Sequence, residues 1–348
     1  MKFIENFGIK IGKLEKGKNN LITDVLGVKV GHYTICDGEI NTGVTVVLPH
    51  ENDVFNNKVI AGSHIINGYG KTAGTVQIDE LGTIETPIAL TNTLSIGAVH
   101  HGLTKYMLQT NKDIGDTTST VNPIVGECND GYLNDIRGMH VKAEHVELAI
   151  NRSSDIFEMG GVGAGTGMSC FGLKGGIGSA SRIIRFEEEV FTVGVLVLSN
   201  FGKTKDLMIR GINIGKEIAE IEKERCAQED KGSIITILAT DIPMTSRQIK
   251  RICKRVSSGL ARTGSHLGNG SGDIVIGFST ANIVNHKMDK ATGDIRMFNE
   301  NKIDIIFRAV VEGTEEAILN SMINAKETIG YKGHSRSSLT DYMYLLNN

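Results

Sequence analysis

A run of ten residues, FTVGVLVLSN (191–200), limits the folds open to this chain more than any other segment. It is apolar on nearly every residue, and a strand of this kind needs cover on both of its faces. Its apolar part, 191–198, is predicted as a strand. Five other short runs rich in Val and Ile are bounded by Gly, Asn or Asp, which is typical of strands. They span 28–30, 44–48, 88–90, 234–238 and 274–278.

Helical patterns alternate with these strands along the chain. Apolar residues recur at helical spacing over four segments, 95–108, 206–228, 245–262 and 303–326. The last reads as one long helix, or as two that are interrupted near Gly313. Thr245 with Gln248 three residues later resembles a capping box. The first 20 residues are polar and predict an arm. The alternation favours an α/β or an α+β class, with strands beneath helices.

Charge and length set the broad class of the protein. The chain has 37 Lys and Arg against 40 Asp and Glu, a formal charge of −3. This balance lacks the positive field that a general nucleic-acid binder needs, so no nucleic-acid partner is expected. With 348 residues the chain can bury a large core, and no Pro-, Ser- or Gly-rich linker divides it. We expect a single domain over 1–348.

The cysteines and the apolar stretches indicate the compartment. The five cysteines are odd in number and form no C-x-x-C pair, which argues against a disulfide framework or a structural zinc site. No stretch of 18 apolar residues is present that would span a membrane. Residues 1–20 lack the apolar run of a signal peptide. We therefore expect a cytoplasmic protein with no membrane partner.

Neither a metal nor a nucleotide site is predicted. The ten histidines include no H-E-x-x-H motif and no i, i+4 pair beside a carboxylate. The glycines of GGVGAGTG (160–167) resemble a dinucleotide fingerprint, but no good strand precedes them. No Lys-Ser or Lys-Thr pair follows them, as it would in a phosphate-binding loop. The sequence thus implies no cofactor.

Chemistry is indicated instead at Ser271, which stands between Gly270 and Gly272 directly before an apolar strand. Its hydroxyl can attack the carbonyl of Gly270 and form an ester by an N-to-O acyl shift. The two glycines leave room for the tetrahedral intermediate and for strained backbone. Hydrolysis of the ester would free the α-amino group, whose reference pKa of about 7.7–8.0 makes it a base beside the hydroxyl. The alternative is a glycine-rich turn with a serine that caps a strand.

Eight blocks of sequence carry a resemblance over nearly the whole chain. They are LITDVLGVKVGH (21–32), TGVTVVLP (42–49), NGYGK (67–71), VGECNDGYLNDIRG (125–138), GAGTGMSCFGLKGGIGSASR (163–182), VLVLSNFG (195–202), GNGSGDIVIGFSTAN (268–282) and EEAILNSM (315–322). In this order they resemble the self-processing N-terminal-nucleophile aminopeptidases. That family includes the L-aminopeptidase/D-esterase (DmpA-like) enzymes and the bacterial β-aminopeptidases.

The resemblance implies a fold and a processing event. We expect an α+β protein with an αββα sandwich, in which two sheets pack face to face beneath helices on both outer sides. This architecture is similar to that of the Ntn hydrolases, with the different strand connectivity of DmpA and ornithine acetyltransferase. The precursor would cut itself between Gly270 and Ser271 into 1–270 and 271–348. The two chains would stay together because the new terminus begins a core strand.

The resemblance also implies catalytic roles for four residues. Ser271 would be the N-terminal nucleophile, and Asn200 would donate a hydrogen bond to the oxyanion. Thr314 and Glu316, in the sequence TEEA, would together orient the amine and relay its proton. The alternative for Thr314 is a helix N-cap that is followed by acidic residues in the first turn.

Further residues are expected to contact the substrate or to support the nucleophile. Glu127 falls where relatives have an acidic residue that faces the substrate amine, and Tyr132 would line the same pocket. Asp273 is expected to support the backbone next to Ser271. The glycine block 163–178 would let helix and sheet backbones pack closely.

The implied enzyme is an autoprocessing serine aminopeptidase or amidase. The amine of Ser271 would take the hydroxyl proton, the oxygen would attack the carbonyl of the N-terminal residue, and water would release the acyl group from the enzyme. The substrate would be a short peptide, amide or ester with a free amino end. The preference for L-, D- or β-residues stays open, and we expect a homo-oligomer of the cleaved pair.

Two alternatives remain at this point. Ornithine acetyltransferase shares the fold and the self-cleavage, but its nucleophile is threonine, which Ser271 argues against. The other alternative is an uncleaved, non-catalytic binding protein, which would keep the intact chain.

Overall fold

The computed structural model describes residues 1–222 and 232–346. The strands in this part are β1 (Lys29–Asp37), β2 (Ile40–Leu48), β3 (Asn57–Gly68), β4 (Thr72–Ala73), β5 (Thr83–Ile84), β6 (Ile88–Asn92), β7 (Ile124–Cys128), β8 (Ser169–Cys170), β9 (Leu173–Lys174), β10 (Gly176–Phe186), β11 (Glu189–Asn200), β12 (Met208–Ile209), β13 (Ile212–Asn213), β14 (Ser233–Thr240), β15 (Gly272–Asn285), β16 (Thr328–Ile329) and β17 (Ser335–Arg336).

The helices are α1 (Thr75–Leu81), α2 (Ile96–Thr110), α3 (Glu144–Ile150), α4 (Gly215–Ile221), α5 (Ser246–Cys253), α6 (Val256–Arg262) and α7 (Asp304–Ile323). Short 3₁₀ helices span Ile4–Phe7, Ile22–Asp24, Thr93–Ser95, Ile136–Gly138, Gly163–Gly165, Thr204–Asp206, Glu300–Lys302, Tyr331–Gly333 and Leu339–Leu346.

Two mixed sheets form the centre of the fold. The first has five strands in the order β1-β2-β6-β7-β4, and only β6 and β7 are parallel neighbours. The second has six strands in the order β10-β11-β14-β15-β3-β5, and only β14 and β15 run parallel. The strand β15 therefore lies inside the second sheet, with a hydrogen-bonded partner on each side.

Three apolar cores show how the layers stack. Leu196 and Leu198 on β11 lie in a core with residues of β6 and β7, so the two sheets pack face to face. The alternate residues Val195 and Val197 lie in a second core with α5, α6 and α7. Helices α2 and α3 cover the outer face of the five-stranded sheet. The layers are helices, sheet, sheet and helices, so the expected αββα sandwich is confirmed, as is the burial of 191–198 on both faces.

The predicted strands agree with the observed ones. All six predicted segments fall inside β1, β2, β6, β11, β14 and β15, except that Val28 precedes β1. The predicted helix 95–108 is α2, and 303–326 contains the single helix α7. This helix continues through Gly313, where a Cβ atom would lie 2.8 Å from Cγ2 of Val195. Glycine is present there because the helix packs closely on β11, and it does not end a helix.

The predicted helix over 206–228 is wrong in its first half. Residues 208–213 form a hairpin of β12 and β13, and Arg210 and Gly211 turn the chain with φ values of 52° and 79°. Two left-handed residues in succession are the conformation of a tight hairpin turn, which isoleucine spacing does not reveal. A short helix, α4, follows, while 223–228 and Cys226 lie outside the described residues.

The predicted helix over 245–262 is two helices. The capping box at Thr245 and Gln248 is confirmed at the start of α5. After Cys253 the N–H of Arg255 donates to the carbonyl of Ile252, three residues back, instead of to the residue four back. This tighter turn offsets α6 from α5.

The predicted N-terminal arm is also wrong. Ile4, Ile9 and Ile11 are buried in the core beneath the helices. The backbone N–H of Ile4 donates to Oδ1 of Asn320 on α7 at 2.9 Å. Most residues of this segment are polar, but three apolar side chains anchor it to the sandwich.

Two observations concern the compartment. Cys36, Cys128 and Cys253 are free thiols. Within residues 1–222 and 232–346, no helix has both the length and the apolar character needed to cross a membrane.

Candidate active site

Ser271 lies between a tight turn and the central strand β15. Its side chain is buried, and its backbone N–H donates to the carbonyl of Gly268 at 3.0 Å. The N–H of Gly272 donates to the carbonyl of Gly232 and to Oγ of Ser233, both at 3.3 Å. The backbone is therefore held on both sides of the serine.

Asn67, at the end of β3, holds the turn from the neighbouring strand. Its Nδ2 donates to the carbonyl oxygens of Gly268 (2.9 Å), Asn269 (3.2 Å) and Ser271 (2.5 Å). These carbonyls lie on both sides of Gly270, so one amide group braces the predicted cleavage site. Sequence analysis named the block NGYGK but gave this asparagine no role. Its partners are about 200 positions away along the chain.

Asp273 contacts Ser271, the predicted nucleophile, with its side chain. The Ser271 hydroxyl donates to Oδ1 of Asp273 at 2.5 Å, and the two residues are only 2 % and 1 % exposed. A short bond from a hydroxyl to a carboxylate is typical of a charge-assisted pair. The expectation that Asp273 supports the backbone therefore needs correction, because its carboxylate accepts from the Ser271 hydroxyl.

Glu127 reaches the site from β7 of the facing sheet. A Cβ atom on Gly70 would lie 3.1 Å from Cα of Gly272 and 3.7 Å from Oε1 of Glu127. The carboxylate and the residue after Ser271 thus both lie close to Gly70, where a Cβ atom would crowd the backbone of Gly272. Oε1 accepts from the N–H of Lys71 at 2.9 Å and Oε2 accepts from the Thr93 hydroxyl. Each oxygen keeps a lone pair for a further donor.

Asn200 ends β11 at the same end of the six-stranded sheet. It pairs with Ser233, which pairs with Gly272, so two strand spacings, about 10 Å, separate Asn200 from Gly272. Its Oδ1 accepts from the N–H of Ser169 at 2.8 Å, and its Nδ2 donates to the carbonyl of Asn129 at 2.9 Å. These bonds fix the amide and leave the second Nδ2 hydrogen for another acceptor.

Tyr132 is linked to Asn200 through two intervening residues, Arg336 and Ser169. Its ring stacks on His334 with 4.4 Å between ring centres, and the Arg336 guanidinium lies 3.7 Å from the ring centre. Nε of Arg336 donates to Oγ of Ser169, the residue whose N–H binds Asn200. The structure therefore places Tyr132 next to the Asn200 side of the site.

Burial shifts the pKa values of two ionisable groups close to this region. Desolvation raises the pKa of Asp130 to about 7, although bonds from Thr42 and Asn134 oppose the shift. Desolvation lowers the pKa of Lys174 to about 7, and its Nζ donates to three backbone carbonyls, those of Gly165, Met168 and Gly175. Each of these two groups therefore changes its charge near neutral pH.

Thr314 does not lie where the relay requires it. It sits in the middle of α7, so it is not an N-cap, and its side chain packs against α6 at Gly259. Its buried hydroxyl has no hydrogen-bond partner among the described residues. No contact among residues 1–222 and 232–346 connects it with Ser271.

Glu316 lies on another face of α7, at the far end of the sheet. Its carboxylate accepts from Arg182 at 2.7 Å, from Lys16 at 2.8 Å and from Asn20 at 2.7 Å. Arg182 lies in the same row of paired residues as Ser279 on β15, seven positions and about 23 Å from Gly272. Residues 314 and 316 are also about 200° apart around a helix. The structure therefore brings neither Thr314 nor Glu316 of the predicted relay to Ser271.

Comparison with known sequences identifies one family. The profile of peptidase family S58 matches residues 20–336. The beta-peptidyl aminopeptidase BapA of Sphingosinicella microcystinivorans is 38 % identical over 341 residues, which cover 92 % of this chain and 85 % of the relative.

Solved structures agree with the sequence comparison. A protein from Pyrococcus horikoshii OT3 is 50 % identical, with a TM-score of 0.94 and 99 % of both chains covered. The L-aminopeptidase D-Ala-esterase/amidase of Ochrobactrum anthropi is 35 % identical, with a TM-score of 0.91 and 97 % of this chain and 96 % of that chain covered. It is described as a prototype for the serine aminopeptidases and as a new variant among the Ntn hydrolase fold.

Proposed function

Because the chain belongs to peptidase family S58, we propose that Ser271 is its nucleophile and that cleavage of the Gly270–Ser271 bond frees it. The family and the relatives make this chain a hydrolase of the aminopeptidase type, and they do not favour the acetyltransferase or the binding protein. One observation carries the assignment of the site. The buried Ser271 hydroxyl heads a central strand, and the Glu127 carboxylate of the facing sheet approaches the adjacent Gly272.

The sheet explains how two chains would remain one enzyme. Cleavage would produce 1–270 and 271–348. The second piece begins with β15, which is hydrogen-bonded to β14 and β3 of the first piece. A cut at this point removes no strand pairing, so the new N-terminus stays inside the sandwich.

The proposed reaction uses the new terminus as its own base. The amine of Ser271 takes the hydroxyl proton, and Oγ attacks the carbonyl carbon of the substrate's first residue. The second Nδ2 hydrogen of Asn200 stabilises the oxyanion. The leaving amine departs with a proton, and water then hydrolyses the acyl-enzyme ester.

Glu127 supports a substrate with a free amino end. Its carboxylate and the residue after Ser271 both lie close to Gly70, and a hydrogen bond between charged groups contributes about 1.5–3 kcal/mol. We propose short peptides, amides and esters with a small N-terminal residue. The relatives named beta-peptidyl aminopeptidase and L-aminopeptidase D-Ala-esterase/amidase motivate testing β-, L- and D-residues.

The test compares the p-nitroanilides of β-homoalanine, L-alanine and D-alanine with N-acetyl-L-alanine p-nitroanilide. We expect release of nitroaniline from at least one free-amine substrate and none from the acetylated one. Glu127→Gln should raise KM about tenfold or more with a smaller change in kcat. Equal rates with and without the acetyl group would contradict the role of Glu127. Acetyl transfer from N-acetylornithine to glutamate would favour the acetyltransferase instead.

The oligomeric state and the cellular compartment are also proposed. We propose a homo-oligomer of the cleaved pair in the cytoplasm, which the free thiols and the resemblance to multimeric relatives support. Light scattering on the purified protein should give a multiple of 37.6 kDa. A particle of 37.6 kDa itself would refute the oligomer without touching the catalytic site.

A further inference from the structure

We propose that the Asp273 carboxylate is the base that starts the self-cleavage of this chain. The inference rests on the proposed function, because it concerns how the N-terminal nucleophile is made. Self-cleavage and substrate hydrolysis would then use two different bases. Asp273 serves the intact chain, and the α-amine of Ser271 serves the cleaved enzyme.

The intact chain needs a base other than the amine. Before cleavage the nitrogen of Ser271 is an amide, whose lone pair is delocalised into the carbonyl and cannot take a proton near neutral pH. The hydroxyl must therefore give its proton to another group. The structure provides one acceptor in direct contact, Oδ1 of Asp273 at 2.5 Å. Both residues are buried, so bulk water has little access to this proton.

The surroundings also hold the electrophile. Asn67 binds the carbonyls of Gly268, Asn269 and Ser271, and the carbonyl of Gly270 is not among its acceptors. The turn is thus fixed on both sides of the one carbonyl that has to change from planar to tetrahedral. Gly272 is anchored at the same time through its N–H to Ser233. Such fixed positioning of reacting groups lowers the entropic part of a barrier.

The step balances in atoms and protons. The proton of Oγ passes to the Asp273 carboxylate while Oγ bonds to the carbonyl carbon of Gly270. The carbon–nitrogen bond then breaks, and Asp273 returns the proton to the departing nitrogen of Ser271, which becomes a free amine. Water adds to the resulting ester, Gly270 leaves as a carboxylic acid, and the Ser271 hydroxyl is restored. One water is consumed and Asp273 ends unchanged.

The first experiment follows self-cleavage of the full chain in Asp273→Asn, which keeps the shape and removes the base. Intact mass under denaturing conditions, measured over time after purification, gives the rate. We expect cleavage at least about 100-fold slower than in the wild type, the usual range for loss of a general base. The matched control is Asp241→Asn. This carboxylate accepts from the N–H of Thr192 at 2.7 Å at the other end of β14, and the variant should cleave at the wild-type rate.

A double-mutant cycle separates proton transfer from structural support. In a Ser271→Cys chain the attacking thiol has a reference pKa of about 8.5 and needs a base less than a hydroxyl does. Adding Asp273→Asn should then slow cleavage by less than about tenfold. An equal cost in the Ser and Cys chains would show that Asp273 only supports the structure, and would overturn the inference.

Hydroxylamine identifies the step at which Asp273 acts. This reagent cleaves esters, so it accelerates a chain that has already passed the acyl shift. Asp273→Asn should stay uncleaved in hydroxylamine, because the shift itself is blocked. Rapid cleavage by hydroxylamine would place Asp273 in ester hydrolysis and contradict the proposal. If Asp273→Asn lowers Tm, cleavage is measured at a temperature where both chains stay folded. Slow cleavage by the folded variant supports the inference, and a wild-type rate overturns it.

The experiments distinguish failure of the proposed function from failure of the role of Asp273. A wild-type chain that remains at 37.6 kDa would refute the proposed function. A wild-type chain that cleaves, beside an Asp273→Asn chain that cleaves equally fast, would overturn only the role of Asp273.

Discussion

The two ends of the six-stranded sheet bury polar side chains in different ways. At the far end, Arg182 and Glu316 form a fully buried ion pair at 2.7 Å, and Lys16 binds the same carboxylate. At the other end, Ser271 and Asp273 share one hydrogen bond, while Glu127 and Asn200 bind mostly backbone groups. At the far end a buried carboxylate is paired with cationic side chains. At the Ser271 end the side chains are held by hydrogen bonds.

This difference indicates that the far end supports the structure and that the Ser271 end is suited to bind a substrate. The Glu316 carboxylate accepts from three donors, and its charge is already matched by two cations. The Glu127 carboxylate has no cation bound to it among the described residues and accepts only from an N–H and a hydroxyl. A substrate ammonium group fits the second arrangement and has no place in the first.

The largest expected effect on stability is at the far end. Glu316→Gln breaks a buried ion pair and leaves Arg182 without its closest partner, which should lower the free energy of unfolding by about 3–5 kcal/mol. Denaturant titration measures the loss. Self-cleavage and the kcat of the folded fraction should be unchanged. A loss of kcat at unchanged stability would restore the relay role that the structure removes.

At the Ser271 end the larger effect should be on the reaction. Asn200→Ala removes the proposed oxyanion donor and should lower kcat about 100- to 1000-fold, or about 2.7–4 kcal/mol. The matched control is Asn320→Ala, since Asn320 also accepts from a backbone N–H and donates to a backbone carbonyl, but on α7. The control should lose stability and keep kcat. Equal losses of kcat in both variants would show that Asn200 acts only through the fold.

The pH dependence of stability tests the burial of Asp130, three residues after Glu127. The folded pKa of Asp130, about 7, is raised above the unfolded value of about 3.9. The stability contributed by the neutral carboxyl is therefore present below pH 4 and lost as the pH rises to about 7. Between these values the wild type should lose about 2–4 kcal/mol relative to Asp130→Asn. Parallel curves for the two proteins in urea titrations would contradict the buried neutral carboxyl.

The smallest effect is expected at Thr314. Its buried hydroxyl has no hydrogen-bond partner among the described residues, so the isosteric Thr314→Val should change stability by less than about 0.5 kcal/mol or raise it slightly. The rates of self-cleavage and of turnover should stay within twofold of the wild type. A marked fall in either rate would return Thr314 to the catalytic machinery.

The sequence is informative where the chemistry is local. Ser271 between two glycines, directly before an apolar run, points to the proposed cleavage site without knowledge of the fold. The strands are also readable, because continuous apolar runs such as 191–198 require burial on both faces. The sandwich itself came from the resemblance, since the alternation of elements left α/β and α+β both open.

Contacts that depend on strand register or on rotation around a helix could not be predicted from the sequence. Asn67 reaches the turn before Ser271 only because β3 pairs with β15 across about 200 residues. Thr314 and Glu316 matched a family motif, yet the rotation of about 100° per residue in α7 turns them to different neighbours. The hairpin of 208–213 depends on two left-handed residues, which isoleucine periodicity does not show.

The most direct test of the central claim is the intact mass of the purified chain under denaturing conditions, beside Ser271→Ala. The account predicts two wild-type pieces of roughly 29 and 8 kDa, in proportion to 270 and 78 of the 348 residues. Ser271→Ala should stay at 37.6 kDa and hydrolyse no substrate. A wild-type chain that remains whole while it hydrolyses a free-amine substrate would contradict the N-terminal nucleophile.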